Sequence, residues 1–338
     1  MFNSKGGSSI PPLKSGAEWV LSSDGKAELL ADTFVKKWDL IPQVGASDFS
    51  SIILFFRVDR SFVAIRVRNV KRVLLELDDS TATGPDLLPT RILRMLADAL
   101  ASPVTLLCTI IIKSASWPWR VHWIVPIYKR LSPSQPGNYR GVHLTPALSK
   151  VAERVLGKRV RDFFEHGDVW GDSQFAYRKD HSFSDVLALL VALWIRALDR
   201  GQKVGMFCAD IAGAFDRVSA ELLLTKCALY GLDNASVGFL RSYLCAREAS
   251  VVVGSEFSRR VPLRDTVFQG TVLGPPLWNT FFADVRHRIQ QEGFYEVCFA
   301  DYLNPFCTYD RLPDNADISG SLAFMSGSLP RMGEVKPG

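Results

Sequence analysis

Two short apolar segments of the sequence each end in an aspartate: VGMFCAD at residues 204–210 and EVCFAD at residues 296–301. Their length and apolar content predict buried strands. If the two strands lie side by side in one sheet, the carboxylates of Asp210 and Asp301 meet at its edge. Such oxygens suit Mg²⁺, which needs only one or two carboxylates plus the phosphates of a substrate. For either aspartate alone, a helix cap or a solvated strand end is the more common role.

The segments around these strands show helical spacing and turn signals. Apolar residues at helical spacing, some preceded by capping residues, predict several helices. A β-branched run predicts a hairpin over residues 248–263 that turns at Gly254-Ser255. We therefore predict an α+β fold. The predicted helices cover residues 22–38, 147–164, 183–200 and 271–289.

Composition excludes several classes of protein. The 338 residues are 47% hydrophobic and 22% charged, as in ordinary globular proteins, and the net charge of +5 permits a polyanionic partner without requiring one. The six cysteines form no CxxC pair, which argues against a zinc site and a disulfide framework. No signal peptide is recognisable. The longest apolar stretches, residues 99–112 and 186–195, are too short or are interrupted by Pro103, so we predict no membrane span and a nuclear or cytoplasmic location.

Two motifs accompany the strands. Asp210 opens DIAGAF, which places Phe215 at the start of a helix, where its ring could lie under the sugar of a nucleotide. Gln269-Gly270 opens QGTVLGP, and a glycine lets the backbone approach a base or a template closely. Taken singly, a core phenylalanine and an ordinary turn are the more common roles of these residues.

Eight blocks follow one another between residues 24 and 307, and their types and order resemble the polymerase motifs of reverse transcriptases from non-LTR retrotransposons. A match to one block arises easily by chance, whereas an ordered match to eight does not. The blocks are KAELLADTF, ATGPDLLPTRIL, VPIYK, NYRGVHLTPALSKVAERVL, SQFAYRK, CADIAGAFDRV, QGTVLGPPLWN and FAD.

The resemblance implies the right-hand architecture of polymerases, with helical fingers and an antiparallel palm sheet backed by helices. No thumb is recognisable. The domains that it implies are a flexible lead-in at 1–23, a helical N-terminal extension at 24–69, fingers at 70–200, a palm at 201–307 and a divergent tail at 308–338.

The resemblance also implies a metal site. Asp210 and Asp301 resemble the two catalytic aspartates that bind the metal, and the carbonyl of Ile211 lies beside the first. Asp216 is a family feature as well, but it lies past the position that faces the metal, so we expect a structural role for it. The implied cofactor is two Mg²⁺ ions, with Mn²⁺ as a substitute.

The nucleotide-binding residues that the resemblance implies lie in other blocks. Lys129 and Arg140 resemble residues that hold the triphosphate, and the ring of Phe215 occupies the position that excludes a 2′-hydroxyl. Gln269 and Gly270 resemble the contact with template and nucleotide. The implied reaction is attack of a DNA primer 3′-hydroxyl on the α-phosphate of a dNTP, copying an RNA template.

The sequence departs from the family pattern at the second strand. Tyr302 stands where the family has a second, adjacent aspartate, and a phenol supplies no charge at neutral pH. We expect this replacement to impair catalysis. Further departures point the same way: they are Thr266 and Phe268 where GVPQG is usual, Thr81 for a lysine, Gly141 for a proline, and Ala176 and Asp180 for glycines.

Alternative functions follow from these departures. Beyond Cys307 the remaining palm motifs are not recognisable, so the sequence resembles a C-terminally truncated copy that we expect to be weak or inactive. One alternative is a non-catalytic nucleic-acid-binding remnant that uses the basic residues of the helix at 150–161 with Lys129 and Arg130. A second alternative is a non-functional pseudogene product.

Overall fold

A computed structural model of the chain describes residues 10–38, 64–310 and 336–337. Its residues group into two compact units. Among the described residues, the first unit contains 10–38, 64–162 and 215–274, and the second contains 163–214, 275–310 and 336–337. Each unit is therefore assembled from segments that are far apart in the sequence.

The chain mixes helices with short strands, which confirms an α+β fold. In chain order the elements are β1 (Leu13–Ser15), β2 (Glu18–Val20), α1 (Ser23–Trp38), α2 (Val67–Leu75), α3 (Thr90–Met95), α4 (Ala97–Ser114), β3 (Val121–Tyr128), β4 (Tyr139–Leu144), α5 (Ala147–His166), α6 (Phe183–Asp199), β5 (Lys203–Met206), β6 (Ala209–Asp210), α7 (Ala220–Leu229), α8 (Asn234–Leu244), β7 (Glu248–Val253), β8 (Glu256–Phe257), β9 (Val261–Pro262), α9 (Gly274–Gln291), β10 (Tyr295–Phe299), β11 (Tyr302–Tyr309) and β12 (Lys336–Pro337).

Each unit contains a five-stranded sheet. In the first unit β4, β3, β7 and β8 are neighbours in that order, and β9 also pairs with β7. The pairing of β3 with β7 is parallel and the other pairings are antiparallel. In the second unit the order is β10, β11, β6 and β12, with β5 also on β11, and each pairing is antiparallel.

The core of the first unit forms between α1 and the sheet. Ala27, Leu30, Phe34 and Trp38 recur at helical spacing and are buried against strand residues that include Val251. Each large side chain buried in this way contributes roughly 1.5–3 kcal/mol. The predicted helix at 22–38 is thus confirmed, and its apolar stripe holds it on the sheet.

The ATGPD block joins two parts of the first unit. Asp86 accepts a hydrogen bond from the backbone N–H of Ala147 at 2.7 Å, which satisfies one free donor at the start of α5. A Cβ built on Gly84 would lie 2.2 Å from the carbonyl oxygen of Thr145 and 2.7 Å from the nitrogen of Pro146. Gly84 therefore lets the two backbones meet, and Asp86 holds the N-terminus of α5 there.

The core of the second unit lies between α6 and its sheet. Val186 and Leu190 of α6 pack with Phe175, Val297 and Phe306. Ser182 caps the helix, because its hydroxyl accepts from the backbone of Asp185 and the Asp185 carboxylate accepts in return. The predicted helix at 183–200 is confirmed, as is the helix at 147–164.

Several predicted boundaries were wrong. The strand at 204–210 is interrupted after Met206, and the strand at 296–301 ends at Phe299, because Ala300 adopts a left-handed backbone conformation with φ 58°. By contrast, the glycine-led turn into a helix that was predicted at 271–289 is confirmed, with the helix beginning at Gly274. The predicted hairpin at 248–263 does turn at Gly254-Ser255, where β7 pairs with β8.

The expected flexible lead-in contains ordered structure. β1 and β2 form a hairpin, and the Leu13 side chain is fully buried in the first core. The backbone N–H of Lys14 also donates to the carbonyl of Ser134 at 2.8 Å. Most of the expected extension at 24–69 and tail at 308–338 lies outside the described residues.

Pro103 does not interrupt the apolar stretch in which it lies. α4 continues through Pro103, whose missing N–H leaves the carbonyl of Ala99 without its helical donor. Both residues are exposed, so water can hydrate that carbonyl. Among the described helices, α4 alone has the length and composition of a membrane-crossing segment, a test that core helices of soluble proteins also pass.

We predict that Gly84→Ala destabilises the chain by about 2 kcal/mol or more, because the new methyl group would overlap backbone atoms that cannot rotate away. Gly137→Ala is the matched control, since a Cβ there would meet nothing within 4 Å. Urea unfolding followed by circular dichroism measures both. Equal stability of the two variants would contradict the close approach at Gly84.

Candidate active site

Asp210 ends β6 of the second unit, and Asp301 lies in the turn between β10 and β11 of the same sheet. β6 pairs with β11 so that Asp210 is opposite Tyr302. The backbone N–H of Ile211 donates to the carbonyl of Asp301 at 3.1 Å, which ties the end of one strand to the turn before the other. Both aspartates are half-buried. The two predicted strands are not side by side, because β11 lies between β10 and β6, but the backbones at Asp210 and Asp301 meet at one end of the sheet.

The turn that carries Asp301 is held by side chains from other elements. Ala300 is a non-glycine residue in the left-handed region. Its carbonyl accepts hydrogen bonds from Trp278 Nε1 at 3.1 Å and Gln174 Nε2 at 3.3 Å, and its N–H donates to Gln174 Oε1 at 3.1 Å. These bonds offset the cost of the backbone conformation and fix where Asp301 begins.

Gln174 is a site residue that the sequence analysis missed. It lies in the SQFAYRK block, whose backbone pairs with β10: the N–H of Cys298 donates to the carbonyl of Ser173 at 2.8 Å, and that of Phe175 donates to the carbonyl of Cys298 at 3.1 Å. The only signal was that the block occurs in order with the others. Its contact with residue 300 depends on tertiary structure.

Few oxygen ligands are available at this end of the sheet for a divalent ion. Asp210 and Asp301 supply carboxylates, and Ile211 adds a carbonyl next to the first. Within the ranges that the structure describes, there is no group of three or more His, Cys, Asp or Glu side chains that could hold a metal. Mg²⁺ tolerates such a sparse set, because water and substrate phosphates complete its coordination.

Tyr302 lies directly opposite Asp210 in the strand register, and its side chain is 54% exposed. It adds an aromatic ring and a hydroxyl beside the carboxylate edge. Since a hydroxyl is a weaker ligand for a hard cation than a carboxylate, Tyr302 does not enlarge the candidate metal site.

Lys129 and Arg140 lie together on the β3–β4 hairpin of the first unit. The backbone N–H of Lys129 donates to the carbonyl of Asn138 at 2.9 Å, and Arg140 is opposite Ile127 in the register. Both cationic side chains are exposed. The hairpin therefore presents a lysine just after β3 and an arginine on β4, a combination that can bind phosphate oxygens.

Lys37, at the end of α1, supports the same hairpin. Its Nζ donates to the carbonyls of Tyr139 at 2.9 Å and Gly137 at 3.1 Å. Burial lowers the pKa of Lys37, and the charge of Lys129 adds to the effect. No sequence motif drew attention to Lys37, because it is one of several lysines in an amphipathic helix.

Asp216 is half-buried and lies within the electrostatic influence of Lys37 and Lys129. Burial raises the pKa of its carboxyl, and the charges of Lys37 and Lys129 oppose that shift. Its Oδ1 also lies 3.5 Å from Gln269 Nε2, which donates to it. These interactions are consistent with the structural role expected for Asp216. They connect it to Lys37, Lys129 and Gln269.

The backbone around Gln269-Gly270 is fixed from two sides. The N–H of His143 donates to the carbonyl of Gln269 at 2.8 Å, and Glu153 accepts from the N–H of Val272 at 2.8 Å. Gly270 has φ 90°, and a Cβ there would lie 2.8 Å from a methyl carbon of Val142. The glycine is therefore required both by conformation and by space.

Phe215 and Thr266 are joined by a hydrogen bond. The Thr266 hydroxyl, which is buried, donates to the carbonyl of Phe215 at 2.9 Å. A Cβ on Gly274 would lie 3.3 Å from the Phe215 ring, so that ring packs against the start of α9. Thr266 departs from the family pattern, yet its hydroxyl contributes a hydrogen bond that holds the backbone of Phe215.

A buried polar chain lies beside Phe268, the second departure in this loop. Arg247 Nη1 can only donate, so His122 accepts with Nε2 at 2.5 Å and must carry its proton on Nδ1. His122 Nδ1 then donates to His143 Nδ1 at 3.2 Å. The Phe268 ring packs against all three groups, at 5.0–5.4 Å from the two imidazole centroids and 5.1 Å from the guanidinium.

The two histidines of this hydrogen-bonded group, His122 and His143, are neutral at physiological pH. Burial lowers the pKa of His143 to about 3, with a further contribution from Arg247, and burial lowers the pKa of His122 well below its usual value. This polar chain links residues 122, 143 and 247 under the loop that carries Gln269. Nothing in the sequence predicts it, because isolated histidines and arginines carry no pairing information.

Comparison with known proteins identifies one family. The family model described as "Reverse transcriptase (RNA-dependent DNA polymerase)" matches residues 128–310. The chain is 29% identical over 224 residues to "Probable RNA-directed DNA polymerase from transposon BS" of Drosophila melanogaster, covering 65% of the chain and 25% of that relative.

Two further relatives from Drosophila melanogaster show similar identity. The "Probable RNA-directed DNA polymerase from transposon X-element" is 26% identical over 283 residues, 81% of the chain and 31% of the relative. The "RNA-directed DNA polymerase from mobile element jockey" is 29% identical over 234 residues, 68% of the chain and 25% of the relative. The chain thus spans between a quarter and a third of the length of these three relatives.

We predict that stability falls as the pH drops from about 6.5 towards 3, because the unfolded histidines bind protons that the buried ones reject. Each histidine contributes a slope of up to about 1.4 kcal/mol per pH unit in that window. His143→Asn keeps an acceptor for His122 but cannot titrate, so its stability should depend less steeply on pH. Urea unfolding at pH 7.5, 6 and 5 measures the slopes.

The matched control is His181→Asn, which lies outside this hydrogen-bonded chain and should keep the slope of the unaltered protein. If His143→Asn also kept that slope, the buried neutral state of His143 would be wrong.

Proposed function

The chain belongs to the reverse transcriptase (RNA-dependent DNA polymerase) family, and from this premise we propose that it forms the polymerase site of a non-LTR retrotransposon protein. The observation that carries the proposal is the pairing of β6 with β11, which brings Asp210 and Asp301 to one sheet edge. The relatives, which are named as RNA-directed DNA polymerases of mobile elements, support the same reaction.

The carboxylates of Asp210 and Asp301, with the carbonyl of Ile211, would hold Mg²⁺, or Mn²⁺ in its place. When bound, two such ions promote ionisation of the primer 3′-hydroxyl and stabilise the charge of the leaving pyrophosphate. The chain's own contribution is to keep these oxygens fixed. The hydrogen bond from Ile211 to Asp301 and the anchored turn at Ala300 restrict how far the two strand ends can separate.

Residues of the first unit would bind the incoming dNTP. Lys129 and Arg140 would contact the triphosphate, since both are exposed cations on one hairpin. The ring of Phe215 would exclude a 2′-hydroxyl. Gln269 and Gly270 would meet the template and the nucleotide base.

The division into fingers at 70–200 and palm at 201–307 remains part of this proposal, as do the RNA template, the DNA primer and a nuclear or cytoplasmic location. The antiparallel sheet of the second unit is the kind of sheet that a palm requires. The two compact units follow a different division, in which Phe215 and Gln269 group with Lys129.

Three cations on the basic face of α5, which a non-catalytic binding remnant would use, have partners within the chain. Lys150 Nζ donates to the carbonyl of Ala82 at 2.8 Å, and Lys158 forms an ion pair with Asp162 at 2.7 Å. Arg154 also reaches a backbone carbonyl, at 3.4 Å. These cations already have partners within the chain, which leaves Lys129 and Arg140 as the better candidates for phosphate contacts.

We predict that Tyr302→Asp increases primer extension on poly(rA)/oligo(dT) with Mg²⁺ or Mn²⁺ by about tenfold or more, because it restores a carboxylate beside the metal-binding edge. Asp210→Asn in the same background should abolish extension. Asp199→Asn, an exposed carboxylate at the end of α6, is the matched control and should leave the rate unchanged.

Two results would count against the proposal. Extension by the unaltered chain at the rate of Tyr302→Asp would show that Tyr302 does not impair catalysis. Extension by Asp210→Asn at the rate of its parent would show that Asp210 does not bind the catalytic metal.

A further inference from the structure

The loop at residues 266–273 is fixed by hydrogen bonds within itself and by hydrogen bonds to neighbouring elements. The hydroxyl of Thr271 donates to the carbonyl of Phe268 at 2.8 Å and accepts from the N–H of Gly274 at 3.2 Å. The carbonyl of Gln269 is bonded to β4, as described above. A further external bond joins the loop's backbone to α5: the N–H of Val272 donates to Glu153.

Glu153 of α5 is completely buried and accepts three hydrogen bonds. The donors are the Ser149 hydroxyl at 3.0 Å, the Tyr243 hydroxyl at 3.2 Å and the Val272 N–H at 2.8 Å. A buried carboxylate is costly unless it is bonded and its charge is balanced. Arg247 provides that balance: its guanidinium lies 4.1 Å from the centroid of the Tyr243 ring, and its charge opposes the rise in the pKa of Glu153 that burial causes.

The three donors differ in how they are otherwise held. Ser149 lies on the same helix as Glu153, and Tyr243 lies within α8, so both are fixed by helical hydrogen bonds and packing. Val272 belongs to no helix or strand. Loss of the acceptor at Glu153 would therefore leave the two helices in place and release the loop segment that follows Gln269-Gly270.

We infer that Glu153 is a positioning residue that holds Gln269 and Gly270 in place through the N–H of Val272. Its effect on nucleotide use rests on the proposed function, in which Gln269 meets template and dNTP. The anchoring itself depends only on the contacts within the first unit. Glu153 touches no reacting group, and it acts through the loop.

Two variants separate reach from charge. Glu153→Asp keeps the negative charge beside Arg247 but withdraws the carboxylate by one methylene from Val272. Glu153→Gln keeps the length and an acceptor oxygen but loses the charge. Ser149→Ala is the matched control, because it removes one hydrogen bond to the same carboxylate and leaves the bond to the loop.

Hydrogen exchange measured by mass spectrometry on a peptide covering residues 266–273 tests the anchoring without catalysis. Glu153→Asp should speed exchange about tenfold, the value expected for loss of one buried hydrogen bond. Glu153→Gln and Ser149→Ala should exchange at the rate of the unaltered chain. Unchanged exchange in Glu153→Asp, or equally fast exchange in Ser149→Ala, would overturn the inference. So would fast exchange confined to Glu153→Gln, because charge rather than reach would then hold the loop.

Primer extension over a range of dTTP concentrations, in the Tyr302→Asp background, tests the consequence. Glu153→Asp should raise KM for dTTP about tenfold with a smaller change in kcat. Glu153→Gln should keep the KM of the Tyr302→Asp parent. A fall in kcat alone would overturn the positioning role. If the parent chain extends no primer, the proposed function fails, and the exchange result still decides whether Glu153 anchors the loop.

Discussion

The left-handed conformation of Ala300 is the constraint on which the second unit's candidate site depends. A tight turn at this point lets β11 start at once after β10, so that Tyr302 pairs with Asp210 and Asp301 lies at the strand end. Such a conformation costs a non-glycine residue free energy of the order of 1 kcal/mol, and it persists where the surroundings determine it. Gln174 and Trp278 supply those surroundings with three hydrogen bonds. The placement of one carboxylate therefore depends on side chains from two other parts of the chain.

In the first unit, buried charged and polar side chains fix the backbone around Gly270. Arg247 donates to His122 and balances Glu153, while Glu153 and His143 hold the backbone on either side of Gly270. Buried ionic groups are a weak source of stability, and removing one partner is costly because the other is left uncompensated. Their value here is geometric. They leave the loop one arrangement in which all its bonds are made, and Thr266 and Phe268 pack into that arrangement instead of disrupting it.

Local signals in the sequence predicted some parts of this structure well. α1, α5 and α6 begin and end within two residues of prediction, because apolar spacing and capping are local properties. The strands before Asp210 and Asp301 do share one sheet, but β11 lies between β10 and β6, so the expected side-by-side arrangement of the two was wrong. The contacts of Ala300 with Gln174 and of Arg247 with His122 could not be expected, since each spans more than a hundred residues and involves side chains with many other common roles. The hydrogen bond of the buried Thr266 hydroxyl to the carbonyl of Phe215 could not be expected either, because it is visible only in three dimensions.

The proposed reaction requires that Asp210 and Asp301 together hold a divalent ion. Fe²⁺ bound in place of Mg²⁺ cuts the backbone next to its ligands when it is exposed to ascorbate and peroxide. Mapping the cuts on the intact chain therefore locates the ion without requiring catalysis. We expect cuts close to both aspartates that excess Mg²⁺ suppresses and that disappear in Asp210→Asn but not in Asp199→Asn. Cuts elsewhere, or an unchanged pattern in Asp210→Asn, would contradict the metal site.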